Sequence, residues 1–314
     1  MKQGQDSTVA AGLDISKLWL DAALSHGNDA RRFGNDVAGF ADVTAWLAGH
    51  GVKRVGMEAT GGYERNVRTA LETAGFEVIV HQPVEIKAYG RYKRIRAKSD
   101  RIDARLIALA TRDWKGTVRR RDPGLNDLTE RLSVYEHLKD LLAQAKAFAE
   151  HLQSEAAIDL HKAMMDELKA RKKVALADIQ ARIRADPSLQ RRCDLLQSLP
   201  GVGQVVAAVM VIRMPELGRL DPGQPAALLG VAPFDRDSGE LKGRRFIQGG
   251  RSRPRTFVYI AALAAKRMNT SFKRFADRLL RHGKPPKLVI TAVARKIIEA
   301  ANLILKRHTP WVEQ

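Results

Sequence analysis

The chain has 314 residues, and 54 Lys and Arg against 35 Asp and Glu give it a formal net charge of +19. This length suits two or three domains, and 45% hydrophobic residues provide material for their cores. The single cysteine, Cys193, excludes an intramolecular disulfide and a cysteine-rich zinc site. Because there is no long apolar run and no signal-like N-terminus, we expect a cytoplasmic protein with no membrane partner.

The positive charge is concentrated in one part of the chain. Residues 240–314 hold 18 basic and 4 acidic residues, whereas residues 1–110 hold 16 and 13, and residues 111–239 hold 20 and 18. A second basic cluster comprises Arg91, Lys93, Arg94, Arg96, Lys98, Arg101 and Arg105. Concentrated cations are typical of a phosphate-binding surface, so we expect a nucleic-acid partner. The alternative is a generally basic protein with no such partner.

Strands and helices alternate in the first third of the chain. Apolar runs predict two strands within residues 8–25 and single strands at 52–58 and 76–81. Apolar spacing predicts helices over 36–48 and 63–74, the second with Thr60 as its N-cap, and a short basic helix over 98–112. We therefore predict an α/β domain over residues 8–115 with a partly parallel sheet.

The middle of the chain is predicted to be helical. A Pro123–Gly124 pair precedes it, no Gly or Pro follows until after Asp186, and apolar residues recur every three or four positions. Residues 124–186 are therefore predicted to form one long helix or a helical hairpin. Two interpretations stay open, namely a hairpin packed on its own domain and a coiled-coil arm through which two chains associate.

Residues 187–314 are predicted to form a mainly α-helical domain. The turn Leu199–Gly203 opens onto an apolar helix and has the pattern of a helix-hairpin-helix nucleic-acid element, with a tightly packed interior turn as the alternative. Helices are predicted over about 255–268 and 287–306. The segment 232–255 is predicted to be a basic loop, with nucleic-acid contacts from Arg244, Arg245, Arg251, Arg253 and Arg255.

Four carboxylates are candidates for a metal site. Asp14 lies in the first strand, Glu58 ends another, and Asp100 and Asp103 are spaced to share one face of a helix. Buried carboxylates cost several kcal/mol unless they are paired or bound to a metal, and oxygen ligands suit Mg²⁺ or Mn²⁺. Two such ions would stabilise the attacking and leaving oxygens of phosphoryl transfer. The alternative for each acid is a solvated or ion-paired surface residue.

Ser252 is the candidate nucleophile because it lies within an arginine-rich segment, where guanidinium groups would hold phosphate oxygens. The alternative is a serine in a solvated basic loop. No P-loop motif is present, so we expect no use of ATP, and no zinc-binding spacing of histidines occurs.

Three acidic motifs occur in order: Gly12–Lys17 (GLDISK), Met57–Tyr63 (MEATGGY) and Lys98–Ala104 (KSDRIDA). Together they resemble the Asp-Glu-Asp-Asp signature of insertion-sequence transposases whose N-terminal domain is RNase H-like, or RuvC-like. The segments 199–203, 227–230, 249–255 and 292–296 resemble the C-terminal domain of the same family, which includes bridge-RNA-guided recombinases and Piv-type DNA invertases. The resemblance covers residues 10–310.

The resemblance implies roles for these residues. Asp14, Glu58, Asp100 and Asp103 match the metal-binding acids, and Ser252 matches the serine that forms a covalent link with DNA. It also implies a coiled-coil association over 125–186, a dimer or tetramer with a composite active site, and a bridge RNA that pairs with donor and target double-stranded DNA. The expected place of action is the bacterial cytoplasm at the nucleoid. The chain departs from the family at Arg253–Pro254, where an aromatic residue or Leu is typical.

Two rival functions remain at this point. One is a RuvC-like nuclease in which metal-activated water cuts DNA and Ser252 takes no part. The other is a non-catalytic nucleic-acid-binding scaffold with a helical arm.

Overall fold

A computed structural model gives the fold and describes residues 9–95, 100–116, 123–234, 246–268 and 271–313, without the side chains of Asp100, Arg101 and Pro123. Four predicted nucleic-acid contacts lie outside the described residues: Arg96, Lys98, Arg244 and Arg245. The chain forms two compact units, one within residues 1–120 and the other within 121–314. The predicted division at 8–115, 124–186 and 187–314 stays a prediction.

The first unit is built on a five-stranded sheet. Its strands are β1 (Ala10–Ile15), β2 (Trp19–Leu24), β3 (Ala30–Gly34), β4 (Arg54–Glu58) and β5 (Glu77–His81). Their order is β3-β2-β1-β4-β5; β1, β2 and β3 are antiparallel neighbours, whereas β4 runs parallel to β1 and β5 parallel to β4. The predicted α/β class with a partly parallel sheet is confirmed.

Four helices accompany the sheet: α1 (Val37–Gly49), α2 (Glu64–Thr73), α3 (Pro83–Tyr92) and α4 (Asp100–Asp113). One face of the sheet is apolar and shares a buried cluster with α1 and α2, since Leu13, Met57, Val43 and Leu71 are all buried there. This cluster is the main core of the unit.

The predicted N-cap of α2 is wrong. Tyr63 precedes the helix without a side-chain cap, and Thr60 instead donates from its backbone N–H and its hydroxyl to the Glu64 carboxylate. The helix begins at Glu64, which is later than a cap at Thr60 requires. Glu64, in the first turn, reaches back to the preceding loop.

Helix α4 packs against the opposite face of the sheet at two glycines. A Cβ added at Gly12 would lie 2.2 Å from the Ala104 carbonyl oxygen and 2.3 Å from the Ala108 nitrogen. One added at Gly56 would lie 1.7 Å from Thr111 Oγ1. The close approach of α4 to β1 and β4 therefore depends on the missing side chains at these two positions.

The second unit is mainly helical, as predicted. Its helices are α5 (Pro123–Ala149), α6 (Glu155–Ala185), α7 (Pro187–Gln197), α8 (Gln204–Arg213), α9 (Gln224–Leu229), α10 (Ser252–Ala265), α11 (Ser271–Arg281) and α12 (Pro286–Arg307). Two short strands, β6 (Pro233–Phe234) and β7 (Phe246–Ile247), pair antiparallel. Among the helices of the described residues, none is both long and apolar enough to cross a membrane.

Helices α5 and α6 form a hairpin. Arg131 of α5 donates to Asp178 of α6 at 2.7 Å, and the His161 ring lies 2.7 Å from the Ala145 carbonyl oxygen. The base of this hairpin joins the same buried cluster as the helices that follow, through Leu128, Leu132, Tyr135, Ile179 and Ile183. The structure therefore agrees with the interpretation of a hairpin packed on its own domain, and a coiled coil between chains is not confirmed.

The turn between α7 and α8 packs against α10. Gly201 has φ +81°, and a Cβ added there would lie 2.3 Å from the Ala261 carbonyl oxygen. Gly203 precedes α8 as its N-cap and is exposed. The first glycine of the predicted nucleic-acid element therefore serves interior packing, as the alternative interpretation holds.

Candidate functional site

Asp14 and Glu58 lie on the face of the sheet that α4 covers. Side chains two residues apart on a strand point to the same face. Gly12 and Gly56 both meet α4, so Asp14 and Glu58 point to that side as well. The strand register pairs Gly12 with Gly56, which places the two acids near the carboxyl ends of adjacent parallel strands. Both acids are half-buried.

Asp103 lies in the first turn of α4 and is also half-buried. Asp100 begins the same helix, but its side chain lies outside the described part. Among the described side chains, no three of the types His, Cys, Asp and Glu come close enough together to hold a metal ion. The donor chemistry fits a divalent cation, since carboxylate oxygens are the ligands that Mg²⁺ and Mn²⁺ prefer. The four-acid metal site stays a prediction.

A further acid, Asp21, belongs to this surface and was not singled out from the sequence. It lies directly opposite Asp14 in the β1–β2 register and therefore shares its face of the sheet. Arg32, its partner on β3, donates two hydrogen bonds of 2.9 Å to the Asp21 carboxylate. Opposed like charges are unfavourable, so Arg32 offsets the repulsion between the two aspartates. The sequence contained a signal for Asp21, because two predicted strands joined by a tight hairpin pair Asp14 with Asp21.

His81 also lies on this face, beside Glu58 in the β4–β5 register. Its Nε2 is 2.9 Å from Thr111 Oγ1, whose single proton is donated to the Ile107 carbonyl oxygen at 2.7 Å. We therefore assign the imidazole proton to Nε2. Burial lowers the pKa of His81, while the nearby charge of Glu85 acts in the opposite direction. A neutral His81 thus connects β5 to α4 next to a candidate metal ligand.

Glu64 organises the turn that follows Glu58. Its carboxylate accepts hydrogen bonds from the Thr60 hydroxyl at 2.7 Å, the Gly62 N–H at 2.9 Å and the Thr60 N–H at 3.2 Å. Burial raises the pKa of Glu64, but these hydrogen bonds outweigh it and the pKa is lowered overall. The ionised carboxylate therefore holds the loop next to Glu58 in one conformation.

Ser252 is the first residue of α10 and is exposed. Gly249 and Gly250 precede it with φ of +65° and +70°, and a Cβ on Gly250 would lie 2.2 Å from the Gly230 nitrogen. Among the described residues, the Ser252 hydroxyl has no hydrogen-bond partner. Pro254 lies in the first helical turn, where a missing N–H is tolerated, so the departure from the family does not interrupt α10.

The predicted helix over 255–268 therefore begins earlier than expected, at Ser252. The Arg-Pro pair has the composition of a loop, yet it forms the first turn of α10. This places Ser252 at the N-terminal end of a helix rather than within a loop.

The arginines around Ser252 bind other parts of the same unit. Arg251 donates to both carboxylate oxygens of Glu216, at 2.8 and 2.7 Å, and to the Arg213 carbonyl oxygen at 2.6 Å. Arg255 joins the carbonyl oxygens of two glycine turns, at 3.1 and 2.8 Å, and Arg253 pairs with Asp140 of α5. These contacts fix the segment that carries Ser252. The predicted role of these three cations in binding nucleic acid stays a prediction.

Three of the predicted nucleic-acid contacts in the first unit lie at the end of α3. Arg91, Lys93 and Arg94 are all exposed. The Lys93 ammonium lies 5.3 and 5.5 Å from the ring centroids of Tyr89 and Tyr92, and 3.5 Å from an Asp113 oxygen. Arg91 and Arg94 are thus presented to solvent, as a phosphate contact requires.

The chain matches two family models. One, described as a transposase and belonging to the DEDD type of IS110 elements, matches residues 11–155. The other, described as the IS116/IS110/IS902 transposase family, matches residues 193–277.

Two curated relatives match over almost the full length. The pilin gene-inverting proteins of Moraxella bovis and Moraxella lacunata are each 24% identical to the chain, over 97% of this chain and 98% of theirs. An uncharacterized 42 kDa protein of insertion element IS900 from Mycobacterium paratuberculosis is 26% identical over 43% of this chain and 35% of its own length.

A solved structure, T. thermophilus RuvC in complex with Holliday junction substrate, matches 33% of this chain and 91% of its own, with 20% identity and a TM-score of 0.25. The two family matches together cover more than two thirds of the chain, and they agree on one family. The chain belongs to the IS110 family of transposases and is a DNA recombinase or transposase enzyme.

Proposed function

We propose that the chain cuts and rejoins DNA through a covalent link to Ser252. The observation that supports this most is the placement of Ser252, which is exposed at the start of α10 on a turn that Arg251 and Arg255 tie down. A solvent-facing hydroxyl on an anchored turn at a helix N-terminus suits attack on a phosphodiester, because the helix dipole favours the negative charge on phosphate.

The reaction keeps the energy of the phosphodiester bond in a protein–DNA ester. The Ser252 oxygen attacks phosphorus and forms a phosphoserine ester, while the bond from phosphorus to one deoxyribose oxygen breaks. The serine proton passes to solvent, and the leaving oxygen takes a proton from solvent. A DNA hydroxyl then attacks the phosphoserine and releases Ser252, so rejoining needs no ATP.

The acids of the first unit would hold the metal cofactor. Asp14 and Glu58 lie on one face of the sheet and Asp103 on the helix that covers it, and we propose that they act with Asp100. When bound there, two Mg²⁺ or Mn²⁺ ions would stabilise charge on the attacking and leaving oxygens. The order β3-β2-β1-β4-β5, with three antiparallel strands first, supports the RNase H-like assignment of this unit.

The partners are proposed from the resemblance to the family. We propose that donor and target double-stranded DNA are selected by pairing with a structured bridge RNA, in the bacterial cytoplasm at the nucleoid. We also propose a dimer, or a tetramer on DNA, that associates through the α5–α6 hairpin. Exposed apolar side chains on that hairpin support the association: Val134, Phe148, Leu160, Met164 and Val174. The pilin gene-inverting relatives support rearrangement of DNA rather than cutting alone.

Hydrolysis by a metal-dependent nuclease is the second candidate. The observation that favours it is the absence of a base within hydrogen-bonding distance of the Ser252 hydroxyl among the described residues. In that reaction the same acids would act with water, and Ser252 would take no part.

The two candidates differ in whether DNA becomes attached to the protein. A supercoiled plasmid carrying the element ends is incubated with the protein, the guide RNA and Mg²⁺, and the reaction is stopped with detergent. We expect DNA that migrates slowly until a protease digests the attached protein, whereas hydrolysis would give free ends from the start. Asp14→Asn should abolish cleavage and leave RNA binding intact, and full cleavage by that variant would refute the metal site.

A further inference from the structure

We infer that the corner between α11 and α12 binds the phosphate backbone of double-stranded DNA. This basic corner comprises Arg278, Arg281, Lys284 and Lys287. The inference rests on the proposed function in taking DNA as the substrate, and it adds a surface remote in sequence from the arginines around Ser252.

The corner is an ordered and exposed turn. Arg278 and all residues from 281 to 288 are exposed. The chain turns at Gly283, with φ +72°, and the Lys284 N–H donates to the Leu279 carbonyl oxygen at 3.1 Å. Arg278 and Arg281 are three residues apart on α11 and therefore lie on one face of it. Four cations thus project from a short, fixed piece of backbone.

The acids of this part of the chain are engaged elsewhere. Asp277 pairs with Lys273 at 2.6 Å, and Glu313 accepts from the Ser271 N–H and lies 3.6 Å from Arg274. The third, Glu299, accepts hydrogen bonds at 3.3 Å from two backbone N–H groups at the start of α9.

In the described part of the chain, no carboxylate forms an ion pair with any cation of the corner. Arg278 instead lies over the Phe275 ring, with 5.5 Å between its guanidinium carbon and the ring centroid. This differs from the arginines near Ser252, where Arg251 binds Glu216 and Arg253 binds Asp140. The charge at the corner is therefore available to a partner outside the chain.

The helix dipoles favour only some of the cations in the basic corner. Arg278 and Arg281 lie in the last turn of α11, where the helix dipole favours cations. Lys287 lies in the first turn of α12, where the dipole is positive and no acidic residue is present to offset it. A cation at that position is unfavourable within the chain and becomes favourable when an anion binds. A run of phosphates along DNA provides such anions.

The test is the salt dependence of binding by the full chain. A triple variant carries Arg281→Gln, Lys284→Gln and Lys287→Gln, and its affinity for a fluorescent DNA duplex of random sequence is measured from low to moderate salt. Because each neutralised phosphate contributes a slope of roughly −0.9 to log K against log salt, we expect the slope to become shallower by about 2 to 3. A slope and affinity equal to those of the unaltered protein would overturn the inference.

A matched control removes three exposed lysines from the hairpin, as Lys146→Gln, Lys162→Gln and Lys173→Gln. It should keep the original slope, and an equal loss in this control would show a general effect of net charge and contradict the inference. Exchanging the basic types, as Arg281→Lys with Lys284→Arg and Lys287→Arg, should also keep the slope. A change confined to an RNA duplex of equal length, with none on DNA, would overturn the choice of DNA.

The result is separable from the proposed chemistry. Ser252→Ala should bind the duplex with the original slope, whereas the triple variant should still form the covalent adduct at low salt, where DNA is saturated with protein. Loss of adducts in the triple variant under those conditions would overturn the assignment of the corner to binding alone.

Discussion

Asp14 and Asp21 lie directly opposite each other on β1 and β2, and Arg32 of β3 holds the Asp21 carboxylate through two hydrogen bonds. Three neighbouring strands thus place two acids and one cation in a row on the face of the sheet that carries Glu58. The row reduces the repulsion on Asp14, which is the acid proposed to hold a metal ion. A candidate metal ligand therefore lies beside an ion pair between two neighbouring strands.

This row predicts the outcome of a double-mutant cycle. Arg32→Gln leaves Asp21, with its side chain 13% exposed, facing Asp14 without its partner. We expect the free energy of unfolding to fall by about 1 kcal/mol, the upper end for an ion pair with one exposed partner, because the Arg32 side chain is 49% exposed. Adding Asp21→Asn should recover most of that loss because it removes one of the opposed charges. Urea denaturation of the two single variants and the double variant measures the coupling, and additive losses would contradict it.

The contact between Gly12 and α4 predicts a second outcome. Gly12→Ala forces α4 away from β1, because the added Cβ meets backbone atoms that have no alternative rotamer. Overpacking of this kind costs about 1–3 kcal/mol, and we expect the upper part of that range. Gly49→Ala is the matched control, since a Cβ there has nothing within 4 Å. Equal unfolding midpoints for the two variants would show that α4 does not pack as described.

A buried ion pair joins the hairpin to the helices that follow it. The Arg213 guanidinium donates to the Glu136 carboxylate at 2.8 Å, and the Glu136 side chain is only 4% exposed. Glu136→Ala leaves a half-buried arginine unpaired, and we expect a loss of about 3 kcal/mol. Glu167→Ala breaks an exposed pair with Arg171 on α6 and should cost less than about 0.5 kcal/mol. Thermal unfolding of both variants distinguishes the two cases, and losses of equal size would be inconsistent with a buried pair.

Cys193 predicts a dependence on pH. Burial raises the pKa of its thiol to about 12, so the folded state keeps the thiol protonated when the unfolded state has released its proton. The unfolded state then binds fewer protons, and stability is lost as the pH rises above about 9, by up to about 1.4 kcal/mol per pH unit from this group. Because Cys193 is the single cysteine, a thiol reagent at pH 8 should label the chain only when it unfolds. Rapid labelling of the native protein would contradict the buried position, and Cys193→Ser should remove the label altogether.

The strands that carry the candidate acids are predictable because each contains a short apolar run and most of its residues are buried. β1, β2, β4 and β5 all show this pattern, whereas β3 was not predicted because its sequence ARRFG buries only Phe33. Helix α3 was also not predicted, and Pro83, which follows the predicted strand 76–81, is the first residue of this helix. Most residues of β3 and α3 are not buried, so their own sequence gives little apolar pattern. Packing against neighbouring strands and helices determines their secondary structure.

The partners of charged residues were not predictable from spacing. Arg251 and Glu216 are 35 positions apart, and Arg253 and Asp140 are 113 apart, so their pairing appears only when the helices pack. The position of the charge in the last quarter of the chain was evident from the sequence. Which of those cations stay free for a partner depends on the acids around them, and that distinguishes the basic corner from the segment near Ser252.

The serine mechanism is tested most directly by identifying the residue to which DNA becomes attached. The denatured adduct is digested with nuclease and protease, and mass spectrometry locates the remaining nucleotide on a peptide. We predict a nucleotide on Ser252, and no adduct with Ser252→Ala, while Ser271→Ala forms adducts as the unaltered protein does. A nucleotide attached to any other residue, or cleavage that proceeds with no adduct, would contradict the proposed serine mechanism.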